Sequence, residues 1–260
     1  MLYHYTSLEA LEKILQKDKI VFWATRYDSM NDPMDYAYAK DIILPKLNEM
    51  LTPDELCEHV DTFPYIVSFS LQRDDFNMYR LYNADVAIEF DYVKLRQIVN
   101  RDSSFHLREC IYEDKDCLTH EFVNEYLKQE HSDNITLDAQ ELFPIFKLPE
   151  FKIENEVRLY KFSHKLFRAK YNSEMGCDFI ECETSNLETK VRCVRNKDYV
   201  LYQEFILPIE VLSGIIIHVH DKKHFNSVQN HLVTILSERN YSKNIIENIR
   251  QTETTKFINI

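Results

Sequence analysis

Apolar and polar positions change period several times along the chain, and each change marks a predicted element. Leu2 to Thr6 alternates and predicts a short strand. Ser7 reads as the cap of a helix running to Lys17, with Glu9 in its first turn and Leu8, Leu11, Ile14 and Leu15 at helical spacing. Ile20 to Ala24 is β-branched and aromatic, a second strand. Asn31-Asp32-Pro33 is a turn, because Asn and Asp side chains bond nearby backbone and Pro33 disfavours helix before it. Helical pattern follows from Met34 to Met50, and Thr52-Pro53-Asp54-Glu55 starts another helix. Strands are expected at Tyr65–Ser70, Asp85–Phe90 and Phe105–Tyr112, with helices at Asp91–Arg101 and Leu118–Glu130. His131 to Asp138 is a polar loop and Phe143 to Pro149 is irregular. Glu156–Phe162, Tyr199–Leu207 and Gly214–Val219 read as strands, and His224–Arg239 as a helix with Phe225, Val228, Leu232, Ile235 and Leu236 on one face. No repeat or low-complexity linker interrupts this order. The expectation is one domain of mixed helix and strand over 1–260, with helical inserts near 34–60 and 115–140.

Composition narrows the function classes. Only two glycines occur in 260 residues, Gly176 and Gly214. A dinucleotide-binding Rossmann loop and a P-loop each need several glycines close together, so both are excluded. The formal charge of −12 repels a phosphate backbone and disfavours generic nucleic-acid binding. The densest basic run, Lys161, His164, Lys165, Arg168 and Lys170, reads as a solvated face. No apolar run approaches the ~20 residues that span a bilayer, so no membrane partner is expected. Met1 leads straight into an ordered element, which predicts a cytoplasmic protein with reduced cysteines. Cys177, Cys182 and Cys193 with His164 match no common zinc spacing, and no metal is expected.

Three segments carry candidate chemistry. In Tyr3-His4-Tyr5-Thr6-Ser7, alternation puts His4 and Thr6 on one side of a strand. Read from the residues, His4 is first a core histidine. If its side is a cleft, the imidazole can hold a ligand hydroxyl with Thr6 in support. Ser68-Phe69-Ser70 precedes Met78-Tyr79-Arg80-Leu81-Tyr82, where Tyr79 and Tyr82 share a helical face. Such rings stack on a planar heterocycle or simply fill an aromatic core. Glu154, Glu156 and Arg158 alternate on one strand face, with the carboxylates ~7 Å apart. That row is either an exposed edge or a buried charge cluster held for a purpose.

These segments in this order resemble the bacterial domain-of-unknown-function family 2971. The marks are Tyr3-His4-Tyr5-Thr6-Ser7 with Leu11 and Ile14-Leu15; Asn31-Asp32-Pro33; Ser68-Phe69-Ser70; Met78-Tyr79 with Tyr82; and Glu154 with Glu156 and Arg158. The chain departs from the family at Tyr79, where Trp is usual, and at His218 and His220, where a Gly-rich turn is expected. The family is distantly similar to ADP-ribosyltransferases. The resemblance implies an α+β fold with a mixed, mainly antiparallel split sheet and flanking helices. It implies cleavage of the nicotinamide–ribose bond of NAD, with NAD as substrate, an acceptor of unknown identity, and a setting as a toxin or phage-defence effector. A non-catalytic nucleotide-binding or protein-interaction module of the same fold is the alternative. In the enzymatic version Glu156 stabilises positive charge on the ribose and Glu154 orients an acceptor. His4 positions the adenosine-side ribose with Thr6 in support, Tyr5 belongs to the same binding set, Tyr79 or Tyr82 stacks on nicotinamide, and Ser68 and Ser70 brace the wall. Asn31, Asp32 and Arg158 complete the expected binding set.

Overall fold

A computed structural model describes residues 1–30, 32–43, 45–46, 64–102, 104–113, 143–162, 167–172, 176–181, 188–193 and 199–254. In chain order these form β1 (Leu2–Thr6), α1 (Leu8–Ile14), β2 (Leu15–Gln16), β3 (Lys19–Arg26), α2 (Pro33–Tyr38), β4 (Pro64–Ser70), α3 (Phe76–Leu81), β5 (Val86–Phe90), α4 (Tyr92–Val99) and β6 (Phe105–Glu109). Then follow β7 (Glu156–Phe162), β8 (Phe167–Asn172), β9 (Gly176–Glu181), β10 (Lys190–Cys193), β11 (Tyr199–Leu207), β12 (Leu212–Ile217), α5 (Lys222–Glu238), α6 (Lys243–Glu247) and β13 (Ile249–Gln251). Helix starts are chemically marked. Ser7, Asp75, Asp91 and Asp221 each accept a backbone N–H of the helix they precede, satisfying donors that the first turn leaves orphaned.

The fold is α+β with a mainly antiparallel open sheet; β12 and β13 form its one parallel pair among the described residues. The arrangement around β4 matters most. β7 pairs with β4 along its whole length, from Pro64↔Phe162 to Ser70↔Glu156. The other edge of β4 is shared. β3 takes its start, at Thr25↔Ile66 and Arg26↔Tyr65, and β1 takes its end, at Tyr3↔Ser70 alone. The sheet therefore forks at β4 into an arm β3–β11–β10 and an arm β1–β5–β12–β13. Between the arms, residues 67–69 of β4 lack a ladder partner on that edge.

Alternation along the strands sorts side chains onto two faces. One face carries Leu2, Phe22, Phe69, Ile88, Phe90 and Phe205, and α1, α4, α5 and α6 cover it with Leu11, Leu95, Leu232 and Ile245. Each such side chain contributes ~1.5–3 kcal/mol by leaving water. The other face carries Tyr3 and Tyr5 against Met78 and Tyr79 of α3. It also carries Ile66 and Tyr160 against Tyr27, Tyr38, Ile43 and Phe146.

Several expectations are corrected. The helix expected over 34–50 is helical wherever it is described, but not uniformly α: α2 runs into a π-helical stretch, Ala39–Ile43, residues 45–46 are helical again, and 47–50 lie outside the described residues. Lys161 is not solvated: it is buried on β7 with its ammonium 4.5 Å from the centroid of the Phe105 ring. β7 is no exposed edge, since β4 and β6 flank it and all seven of its residues are buried. The helix expected at 118–130, the helix start at Thr52, the loop 131–138, and Asn31, His164 and Lys165 lie outside the described residues.

Candidate functional site

The fork holds a cavity of about 60 Å³ bordered by Tyr3, His4, Tyr5, Ser68, Phe69, Ser70, Met78, Tyr82, Glu154 and Glu156. Its mouth is marked by Tyr82, which caps the C-terminal end of α3 and is 39% exposed. Behind one wall lies a cluster of charge. Arg158, fully buried, donates from Nε to Glu156 Oε1 (2.9 Å) and from Nη2 to Glu156 Oε2 (3.2 Å). Its Nη2 also donates to Asp35 Oδ2, and its Nη1 to the Pro144 carbonyl and the Tyr27 hydroxyl. Lys147 Nζ donates to Glu154 Oε2 and Glu156 Oε2, both at 2.8 Å. The Tyr82 hydroxyl donates to Glu154 Oε2 (2.9 Å), and the Glu156 N–H donates to the Tyr112 hydroxyl (2.7 Å). Three carboxylates and two cations are thus almost dry together, with Asp35 Oδ1 unpartnered among the described residues. Burying an ion costs several kcal/mol unless the geometry returns it.

Local backbone explains how Glu154 and Glu156 meet. They were expected to alternate along one strand. Instead Glu154 ends a 3-10 helix (Pro149–Glu154), Asn155 takes a left-handed conformation (φ 44, ψ 53), and β7 starts at Glu156. The kink turns both carboxylates onto one ammonium. Asn tolerates this conformation better than most residues with a Cβ.

The electrostatics assign protonation states. Burial pushes the Glu156 carboxyl up, but Arg158 and Lys147 outweigh it and bring it to about 2, so it is an anion at neutral pH. Burial also works against the Lys147 ammonium, yet the surrounding carboxylates raise its pKa overall. For Asp35 burial dominates and the pKa rises despite Arg158 and Lys147. Burial, with Glu156 and Glu154 nearby, raises the Tyr82 phenol. Cys110 borders the cluster, where burial raises its thiol well above the usual value; it is no thiolate nucleophile there.

The other expected residues divide. Ser70 borders the cavity, where its hydroxyl donates to the Glu154 carbonyl (2.6 Å) and accepts from Gln72 N–H (3.0 Å). Ser68 and Tyr5 border the cavity, and the Tyr5 hydroxyl is bonded to the Gln72 carbonyl and Asp75 N–H. Tyr79 is not available for stacking on a ligand. It is buried, lies parallel to the His218 ring at 4.0 Å, and donates its hydroxyl to Asp74. Thr6 does not border the cavity, and Asp32 caps α2 by accepting Met34 N–H (2.9 Å).

His4 is the larger correction. It borders the cavity, but its ring packs edge-on against Phe22 and Phe69 on the helix-covered face. Glu156 stands opposite Ser70, which stands opposite Tyr3, so its carboxylate lies on the other face. His4 Nδ1 bonds the Ser68 carbonyl (2.9 Å), within the stretch of β4 that the fork leaves without ladder partners. Burial lowers its pKa, against the pull of that bond, so it is a neutral brace of the fork. Conversely, Lys147, Asp35, Tyr27 and Tyr112 were not anticipated. Lys147 was visible as a lone charge in the apolar stretch Phe143-Pro144-Ile145-Phe146-Lys147-Leu148-Pro149, the pattern of a buried, paired lysine.

Among the described residues no group of three or more His, Cys, Asp or Glu is placed to hold a metal, and no helix is long and apolar enough to cross a membrane. Comparison of the chain with protein-family models, with curated proteins and with solved structures yields no match.

Proposed function

We propose that this protein is an ADP-ribosyltransferase-like enzyme whose fork cavity takes the nicotinamide–ribose end of NAD and breaks the bond between them. One observation carries the reading: Glu156, kept ionised, borders with Tyr82 a cavity at the fork of the sheet. In the reaction the C1′–N bond breaks and its electron pair leaves with nicotinamide. Positive charge develops on the ribose, and water or an acceptor adds at C1′ and loses a proton. A carboxylate with a pKa of about 2 is useless as a general acid but suited to stabilising that charge. Tyr82, half exposed at the mouth, replaces Tyr79 as the ring placed against nicotinamide. His4 has no contact with substrate in this scheme. Whole-ligand pockets measure ~300–1,000 Å³; the cavity is about 60 Å³, so taking up the nicotinamide–ribose end requires it to widen on binding. Consumption of NAD by such an enzyme would suit a toxin or phage-defence effector.

A second reading, a nucleotide-binding module without turnover, is favoured by a specific feature. Both oxygens of Glu156 are already bonded to Arg158 and Lys147. One assay separates the readings: nicotinamide release from NAD by the wild type and by Glu156→Gln. That variant leaves two carboxylates facing two cations, so the fold is expected to survive. Loss of one such electrostatic contribution lowers turnover ~10²–10³-fold. Equal release by both proteins refutes the assignment. Binding without release supports the module, and absence of both supports a protein-interaction role.

A further inference from the structure

Lys147 has no counterpart among the residues expected from the sequence, yet it touches both candidate carboxylates. Its ammonium lies 2.8 Å from Glu154, 2.8 Å from Glu156 and 4.0 Å from Asp35, with the Phe151 ring centroid 5.1 Å away. Arg158 bonds Glu156 and Asp35 but not Glu154. Among the described residues Lys147 is therefore the one cation bonded to Glu154. Two carboxylates brought this close repel each other and, left alone, take up a shared proton.

We propose that Lys147 is a positioning residue, holding Glu154 and Glu156 side by side as a pair of anions at the cavity wall. This rests on the reading of the site given above, but its logic is electrostatic and does not require turnover. The groups facing the pair from neighbouring elements are Asp35 (α2), Arg158 (β7), Tyr27, Tyr82, Tyr112 and Cys110. Of these, Arg158 alone is cationic, and it is shared with Asp35. Removing Lys147 thus leaves Asp35, Glu154 and Glu156 with one positive partner, which cannot reach Glu154.

The test is a carboxyl-carbon NMR titration of Glu-labelled protein, wild type against Lys147→Met and Lys147→Arg, paired with the pH profile of nicotinamide release. In Lys147→Met one step of the coupled pair should move up by about one pH unit or more. The acid limb of any turnover should move with it, while Lys147→Arg stays near wild type. Unchanged titration in Lys147→Met overturns the proposal. Should Lys147→Met fail to fold at neutral pH, folding must return on acidification, which neutralises the stranded charge, or on adding Glu154→Gln; failure of both also overturns it. A shifted titration in a protein whose wild type releases no nicotinamide keeps the positioning role and refutes the reaction.

Discussion

Replacing Arg158 by Met is the severest single change that the site predicts. The side chain is 0% exposed and donates to Glu156, Asp35, Tyr27 and the Pro144 carbonyl. Met fills much of the same space but leaves Asp35, Glu154 and Glu156 facing Lys147 alone. Removing one partner of a buried ion pair costs ~3–5 kcal/mol, because a charge stays behind without compensation. Folded domains are stable by only ~5–15 kcal/mol, so about a fifth or more of the stability is at stake. Arg158→Lys should rescue little, since an ammonium cannot reproduce a planar fork with four different partners. The chain's single tryptophan, Trp23, lies on β3 in the arm beside the fork and gives a direct fluorescence signal for urea unfolding. Adding Glu156→Gln to Arg158→Met should restore ~1 kcal/mol or more, because it removes one stranded charge. The reasoning fails if Arg158→Met costs under ~1 kcal/mol, or if the double variant is no more stable than the single.

Acid should weaken the fold through Glu156. Its pKa is about 2 when folded and 4.5 without the fold's influence, so it contributes ~3 kcal/mol above the higher value. That contribution is lost as pH falls from about 4.5 through about 2, and Glu156→Gln should flatten that part of a urea-midpoint profile; Asp35, with a raised pKa, works in the opposite direction. Gly214→Ala should cost ~1–3 kcal/mol in thermal or urea unfolding. A Cβ there would lie 2.6 Å from Asn248 Nδ2 and 2.7 Å from the buried Glu89 Oε2. At Asn155, Gly should be tolerated while Val loses ~1–2 kcal/mol to its left-handed backbone, as read by the same unfolding measurement.

Much of the framework was legible because its signals are local. β7 and β11 fall on the residues that alternation predicted, Glu156–Phe162 and Tyr199–Leu207. Ser7 caps α1 as its position before Leu8 and Glu9 suggested. The faces of β1 were not legible. Both sides of that strand are covered, so Leu2-Tyr3-His4-Tyr5 carries no polar–apolar contrast to show which side His4 takes. Glu154 was placed on a regular strand because nothing in Glu154-Asn155-Glu156 distinguishes left-handed Asn from an extended one. α6 and β13 escaped notice because each is only a few residues long. Asp35 was hidden behind the stronger turn signal of Asp32-Pro33, and its partner Arg158 lies 123 residues away. No period along the chain can reveal a contact of that separation.

The most direct test of the account is fluorine NMR of protein labelled at Tyr82 alone, titrated with NAD, with a second sample labelled at Tyr241. Tyr82 lies at the cavity mouth and Tyr241 on the helix-covered face. A saturable shift at Tyr82 with none at Tyr241, followed by free nicotinamide in the same tube, is the predicted result. No shift at Tyr82 at any NAD concentration, or an equal shift at both positions, would contradict a nucleotide site at the fork.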